Sequence, residues 1–278
     1  MTGGSPVGSL AHGSPAGSVG MIGTALPLVV LAGGAAGYLV LAVRRRREAL
    51  GWPAARVGCL LAGVGLLAAA VLRPVGPFPV GDFRGHMLQH LTVGMVAPTL
   101  LVLAAPMTLL LRTLPAAGGR RLGRLLHRRP VRLLTHPVTA LALTLGGPAV
   151  LYFSALYRVA AADGTVHAAV HLHFLLAGYL FAWVVAGPDP APHRPSVPAR
   201  LVVLGVAVAG HAILSQMLYA GQFTDLPVPA GQRRGAAELM YYGGDLATLA
   251  LAVVLVGRWR PRVSSAGRGR SGTSAPPR

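Results

Sequence analysis

The chain has 278 residues, of which 53% are hydrophobic and only 12% charged, a balance that suits several lipid-spanning segments and excludes an ordinary soluble domain. The formal net charge is +18 and every basic residue is Arg, but the arginines occupy short loops between apolar runs, where membrane insertion places them, so the charge does not point to nucleic acid. Cys59 is the single cysteine and lies inside an apolar run. A disulfide framework and a Cys-x-x-Cys motif are thereby excluded, and a metal site must draw on His, Met or carboxylates.

In chain order, residues 1–20 are rich in Gly, Ser and Pro without a basic leader, which predicts a flexible tail and not a cleavable signal. A helix needs roughly 20 apolar residues to cross a bilayer. Seven such runs occur within a domain spanning residues 21–257, at 21–43, 54–72, 86–111, 137–157, 167–186, 201–220 and 236–256. The fold class is therefore all-α, a polytopic transmembrane bundle. Residues 258–278 are rich in Arg, Ser, Gly and Pro and predict a disordered basic tail. Arginine placement orients the bundle with the N-terminus outside and the C-terminus cytoplasmic, leaving only Arg73, Arg84, Arg158, Arg233 and Arg234 on the outer side.

Polar groups at membrane depth are costly, and here they share one face. His86 and His90 open the third run from outside, His167, His171 and His173 open the fifth, and Glu238, Met240 and Asp245 open the seventh. His211 and Met217 fall in the outer half of the sixth, whereas His127, His136 and His193 sit in or beside the inner, arginine-rich loops. Residues four apart share a helical face, so His86 with His90, and His167 with His171, can each present two imidazoles inward. A lone interfacial His commonly binds a carbonyl or headgroup water, but two such pairs at coincident depth are hard to obtain by packing alone. A nitrogen-rich site with Met87, Met95, Met217 or Met240 nearby suits copper over calcium or magnesium, with zinc also open. His173 is turned away from His171 and is expected to pack against another helix. Glu238 and Asp245 share a face and could orient imidazoles, or Glu238 could simply be solvated. Pro98, Pro106 and Pro148 predict bends, and Gly243 and Gly244 predict close helix approach. No phosphate-binding loop, nucleophile elbow or Ser-His-Asp order is present, and the chain reads as non-enzymatic.

Three stretches resemble the multi-span CtaG-type cytochrome c oxidase assembly factors of Gram-positive and especially actinobacterial genomes. They are His86-Met87-Leu88-Gln89-His90 with Val96-Ala97-Pro98 and the run from Ala105-Pro106 to Arg112; Tyr152-Phe153 through His167 and His171 to Gly187, Asp189-Pro190 and Arg194; and Gly231-Gln232 through Glu238-Leu239-Met240 to Gly244-Asp245. The resemblance implies a plasma-membrane, multi-pass assembly factor that binds or delivers copper transiently for the oxidase's outer copper centre. It implies partners among the oxidase subunits, with a copper chaperone as a further one. The metal positions it implies are His86, His90, His167, His171, His211 and Asp245, to which the place of Met217 in the outer half of the sixth run adds a candidate thioether ligand. Many relatives carry Asp-Gln before the last span where this chain has Gly231-Gln232. A copper or proton transporter, a haem-binding membrane protein and a metal-free scaffold are the competing readings.

Overall fold

A computed structural model describes residues 16–46, 51–72, 78–79, 81–192 and 194–259. The expected tails lie largely outside these residues, as does His193. Twelve α-helices and one π turn make up the described fold, with no strand among the described residues. They are α1 (Ala16–Arg46), α2 (Ala54–Leu72), α3 (Phe83–Leu91), the π turn (Thr92–Val96), α4 (Ala97–Leu103), α5 (Pro106–Thr113), α6 (Ala116–Leu126) and α7 (Arg129–Leu134). There follow α8 (Pro137–Tyr152), α9 (Leu156–Ala162), α10 (Gly164–Ala186), α11 (Val197–Ala220) and α12 (Ala230–Gly257). Six helical segments are long and apolar enough to cross a membrane, or seven if α8 and α9, bent by 75° at their junction, form one span.

The third span, Phe83–Thr113, is not one straight helix. Its π turn closes on an N–H of Ala97 bonded to the carbonyl of Thr92. Pro98 then has no N–H to offer the carbonyl four residues back, that of Gly94. A second break falls at Ala105, which takes a left-handed φ of 54° before Pro106. Alanine in that conformation costs roughly 1–2 kcal/mol, and its methyl cannot cap the helix that follows. The carboxylate of Asp189, from the loop after α10, does so instead. It accepts from the N–H of Met107 (3.1 Å), the N–H of Thr108 (2.8 Å) and the Thr108 hydroxyl (2.5 Å).

The bundle has two chemically different ends. At one, guanidinium groups meet carbonyls at the close of α10: Arg200 donates to Val185 (2.9 Å), Arg258 to Ala186 (3.1 Å) and Arg194 to Gly187 (2.8 Å). Cations there complement the negative end of the helix dipole. Arg45 donates to the carbonyl of Arg112 at the same end, and Trp52 donates to Tyr38 (2.8 Å), which donates to the Ala104 carbonyl (2.7 Å). At the other end, α3 packs on α12 and the π turn on α10, around Phe83, Met87, Tyr152, Phe174, Leu218 and Met240. Close approach of the π turn and α10 depends on Gly178, where a Cβ would collide with the Gly94 carbonyl.

Candidate functional site

The end opposite the arginine cluster holds the histidines. Asp82 caps α3, accepting from the Arg84 N–H (2.8 Å) and pairing with its guanidinium (2.7 Å); these contacts hold the Asp82 carboxyl below the usual carboxylate range. Asp163 caps α10 in the same way, accepting from Thr165 (2.7 Å) and Val166 (3.1 Å). Each carboxylate therefore starts a helix at the positive end of its dipole, and each helix carries its histidine pair a turn or more further on. Gln232 at the start of α12 accepts from the Phe83 N–H (3.2 Å), fixing the depth of α12 against α3.

His86 of the first pair meets both members of the second. The His86 ring centroid lies 6.1 Å from that of His167 and 6.3 Å from that of His171, and His167 and His171 are 4.3 Å apart, edge to face. Phe83 stacks on His86 at 5.8 Å, and Tyr157 meets its edge at 5.4 Å. A cavity of about 360 Å³ opens beside them, lined by Asp82, His86, Gln89, Tyr157 and His167 and by the last turn of α2. Gln89 is held there by a bond to the Ala70 carbonyl (2.7 Å).

His90 lies a turn deeper and is buried. Its Nδ1 is 3.5 Å from the Tyr152 hydroxyl, which is also 3.9 Å from the Met87 sulfur, and Phe174 packs on its ring at 4.3 Å. His211 is buried on α11 against Gly244, where an added Cβ would stand 2.8 Å from the imidazole. Among the described residues, His86 Nε2, His171 Nε2, His211 Nε2 and Asp245 Oδ1 are buried without a hydrogen-bond partner. Such atoms are rare in folded proteins and ask for a function.

Metal–nitrogen bonds of about 2.0–2.1 Å place two imidazole centroids on one ion roughly 5–6 Å apart. The His86 distances sit at the outer edge of that range and the His167–His171 distance below it. Among the described residues no three His, Cys, Asp or Glu side chains are placed to hold a metal ion. The rings are gathered without forming a ready cage.

The other histidines separate from this group. His173 packs against α8, where a Cβ on Gly147 would lie 2.8 Å from its Nε2. His127 closes α6 through the Gly123 carbonyl (2.8 Å), and His136 caps α8 by accepting from Val138 (3.3 Å). Met217 is half-buried. Glu238 is exposed while Asp245, nearly two turns on, is half-buried, so their shared face does not give them a shared environment. Gly231 is exposed with open space around its missing side chain. Sequence reading did not single out Asp82 or Tyr157, and it named Gln89, Tyr152 and Gln232 within the family-like stretches without giving them a place at the site. The signal for Asp82 was its place as an N-cap before the histidine helix; Tyr152 and Tyr157 looked like span residues until the bend between α8 and α9 turned them to the histidines.

The family described as cytochrome c oxidase caa3 assembly factor (Caa3_CtaG) matches residues 36–262. Uncharacterized protein Mb0105 of Mycobacterium bovis is 38% identical over 192 residues, 66% of this chain and 28% of the relative. Uncharacterized protein MT0111 of Mycobacterium tuberculosis matches with the same figures. Uncharacterized protein ML1998 of Mycobacterium leprae is 32% identical over 243 residues, 80% of this chain and 37% of the relative. The match thus spans about a third of the length of these relatives. No solved structure matches the chain.

Proposed function

This chain belongs to the cytochrome c oxidase caa3 assembly factor family, and from that premise we propose that it takes up copper as a transient cargo at His86, His167 and His171 and passes it toward the oxidase. The observation that carries this reading is the meeting of three imidazoles, His86 and His167 lining the cavity and His171 beside them, with the Nε2 atoms of His86 and His171 buried and unpaired. Imidazole donors favour copper over hard cations, and a loosely gathered set suits a cargo that must leave again. His90, His211, Met217 and Asp245 lie deeper or to the side and would serve as further holding positions. The cavity end faces outside, with the N-terminus outside and the C-terminus cytoplasmic, because the opposite end carries Arg45, Arg112, Arg194, Arg200 and Arg258. The protein is then a multi-pass component of the plasma membrane that acts without catalysing a reaction, its partners being oxidase subunits and a copper chaperone that loads it. A transporter reading requires a chain of polar groups through the bundle, whereas beyond the histidines lies the apolar cluster of Val102, Ala140, Phe181, Val184, Val185 and Leu251, beside which the Thr144 and Thr248 hydroxyls bond to the Ala140 and Gly244 carbonyls of their own helices.

The test compares detergent-purified wild type with a variant carrying His86→Ala, His90→Ala, His167→Ala and His171→Ala after Cu(I) loading. Wild type retains copper and the variant loses at least about tenfold in retention. Equal copper in both, or none in either, removes the cargo reading and leaves a scaffold. A Soret band in the purified protein transfers these histidines to haem. In cells, His86→Ala is expected to lower oxidase activity while the protein stays in the membrane.

A further inference from the structure

Among the described residues, the loop between the third span and α8 is a folded segment that packs little on the bundle. The packing of α6 and α7 runs chiefly to each other and to α5 and α8, their neighbours in the chain, and neither helix has a buried residue. At 3.6 residues per turn, Arg120, Arg121 and Arg124 fall in one arc of α6 while Leu122, Leu125 and Leu126 fall in the adjoining one. Arg128, Arg129 and Arg132 continue the basic side, and Leu125, Leu133 and Leu134 are exposed. No acidic residue occurs between Arg112 and Thr135, so these charges have no carboxylate of their own segment to pair with.

Such a helix does not sustain itself in water. Gly118, Gly119 and Gly123 each cost about 1 kcal/mol against Ala in a helix. Arg120 and Arg124 are like charges four residues apart, which weakens it further. An apolar arc beside a cationic arc, on a segment whose ends continue into membrane spans, matches one surface: a leaflet that offers acyl chains to the leucines and phosphates to the guanidiniums.

We propose that residues 116–134 form an in-plane strap that binds anionic phospholipid headgroups through Arg120, Arg121, Arg124, Arg128, Arg129 and Arg132, with Leu122, Leu125, Leu126, Leu133 and Leu134 set into the acyl boundary. This surface stands at the arginine-rich end and is independent of any metal at the other.

The experiment uses the full chain reconstituted into vesicles of phosphatidylcholine alone or mixed with phosphatidylglycerol, with amide hydrogen exchange read over residues 116–134. Phosphatidylglycerol slows exchange there by about tenfold, high salt reverses it, and Arg120→Gln with Arg121→Gln and Arg124→Gln abolishes the difference while α10 keeps its protection. Equal exchange in the two vesicle types overturns the proposal. So does a loss of protection in Arg258→Gln as large as in the triple variant, because the effect is then one of net charge. Protection reproduced by inorganic phosphate with phosphatidylcholine vesicles also overturns it, since the ligand is then a free anion.

Discussion

Asp163 shows how single residues set the histidine-bearing helices. Its carboxylate accepts two backbone N–H groups at the start of α10, and those donors, Val166 first, hold its carboxyl below the ordinary value of 3.8. A carboxyl depressed in the folded protein adds stability that is complete above its unfolded value and is lost as pH falls through the folded one. Asp163→Ala is therefore expected to lower the thermal midpoint in detergent at neutral pH, and the gap from wild type should close as pH drops below about 3.8. A constant gap across that range would mean that the cap acts without its charge. At this scale the sequence was informative where chemistry follows spacing: the i, i+4 pairs put His86 against His167 and His171, while His90 lies a turn deeper against Tyr152 and Phe174. It was silent on which carboxylate is buried, because Glu238 and Asp245 have the same periodicity and differ only in what the neighbouring helices cover.

Among elements, apolar run length located the spans, since lipid demands it. Hydropathy carries no information on backbone angles, so the break at Ala105 showed only as the proline after it, and the 75° bend falls past Tyr152, beyond Pro148, which stays inside α8. Gly178 follows the same rule. Nothing in its apolar surroundings marks it, yet its Cα hydrogen points at the Gly94 carbonyl, a weak contact that only glycine permits. Gly178→Ala must push α10 away from the π turn and should cost about 2–3 kcal/mol. Gly146→Ala, which meets nothing within 4 Å inside α8, should hold or raise stability, by up to about 1 kcal/mol. Thermal unfolding of the two variants in the same detergent checks this; equal midpoints would show that the helices separate freely.

For the whole molecule, the loop after α10 and the broken third span are joined by one buried carboxylate. Asp189→Leu leaves the N–H groups of Met107 and Thr108 unpaired inside the protein, and should lower stability by about 3 kcal/mol, with Asp189→Asn recovering part of it. Unfolding midpoints of the pair measure the charge apart from the shape, and an unchanged Asp189→Leu midpoint would show that the break at Ala105 needs no cap. How the helices are ordered around that tether was not legible, because a hydropathy pattern gives each helix a buried side without naming its neighbour.

The lengths of these helices also set where the cavity meets the membrane. At 1.5 Å per residue, the 28 residues of α12 reach about 42 Å against a hydrocarbon layer of about 30 Å. Arg233, Arg234 and Glu238 occupy its first turns, the end where polar side chains can stand outside that layer, and Gln232 holds Phe83 at that level. With those polar first turns in the headgroup layer, the His86 imidazole, one turn further in, would stand where water gives way to acyl chains. Lipids of different chain length would carry that boundary across the cavity, so hydrophobic mismatch with the surrounding bilayer would govern how wet the histidines are.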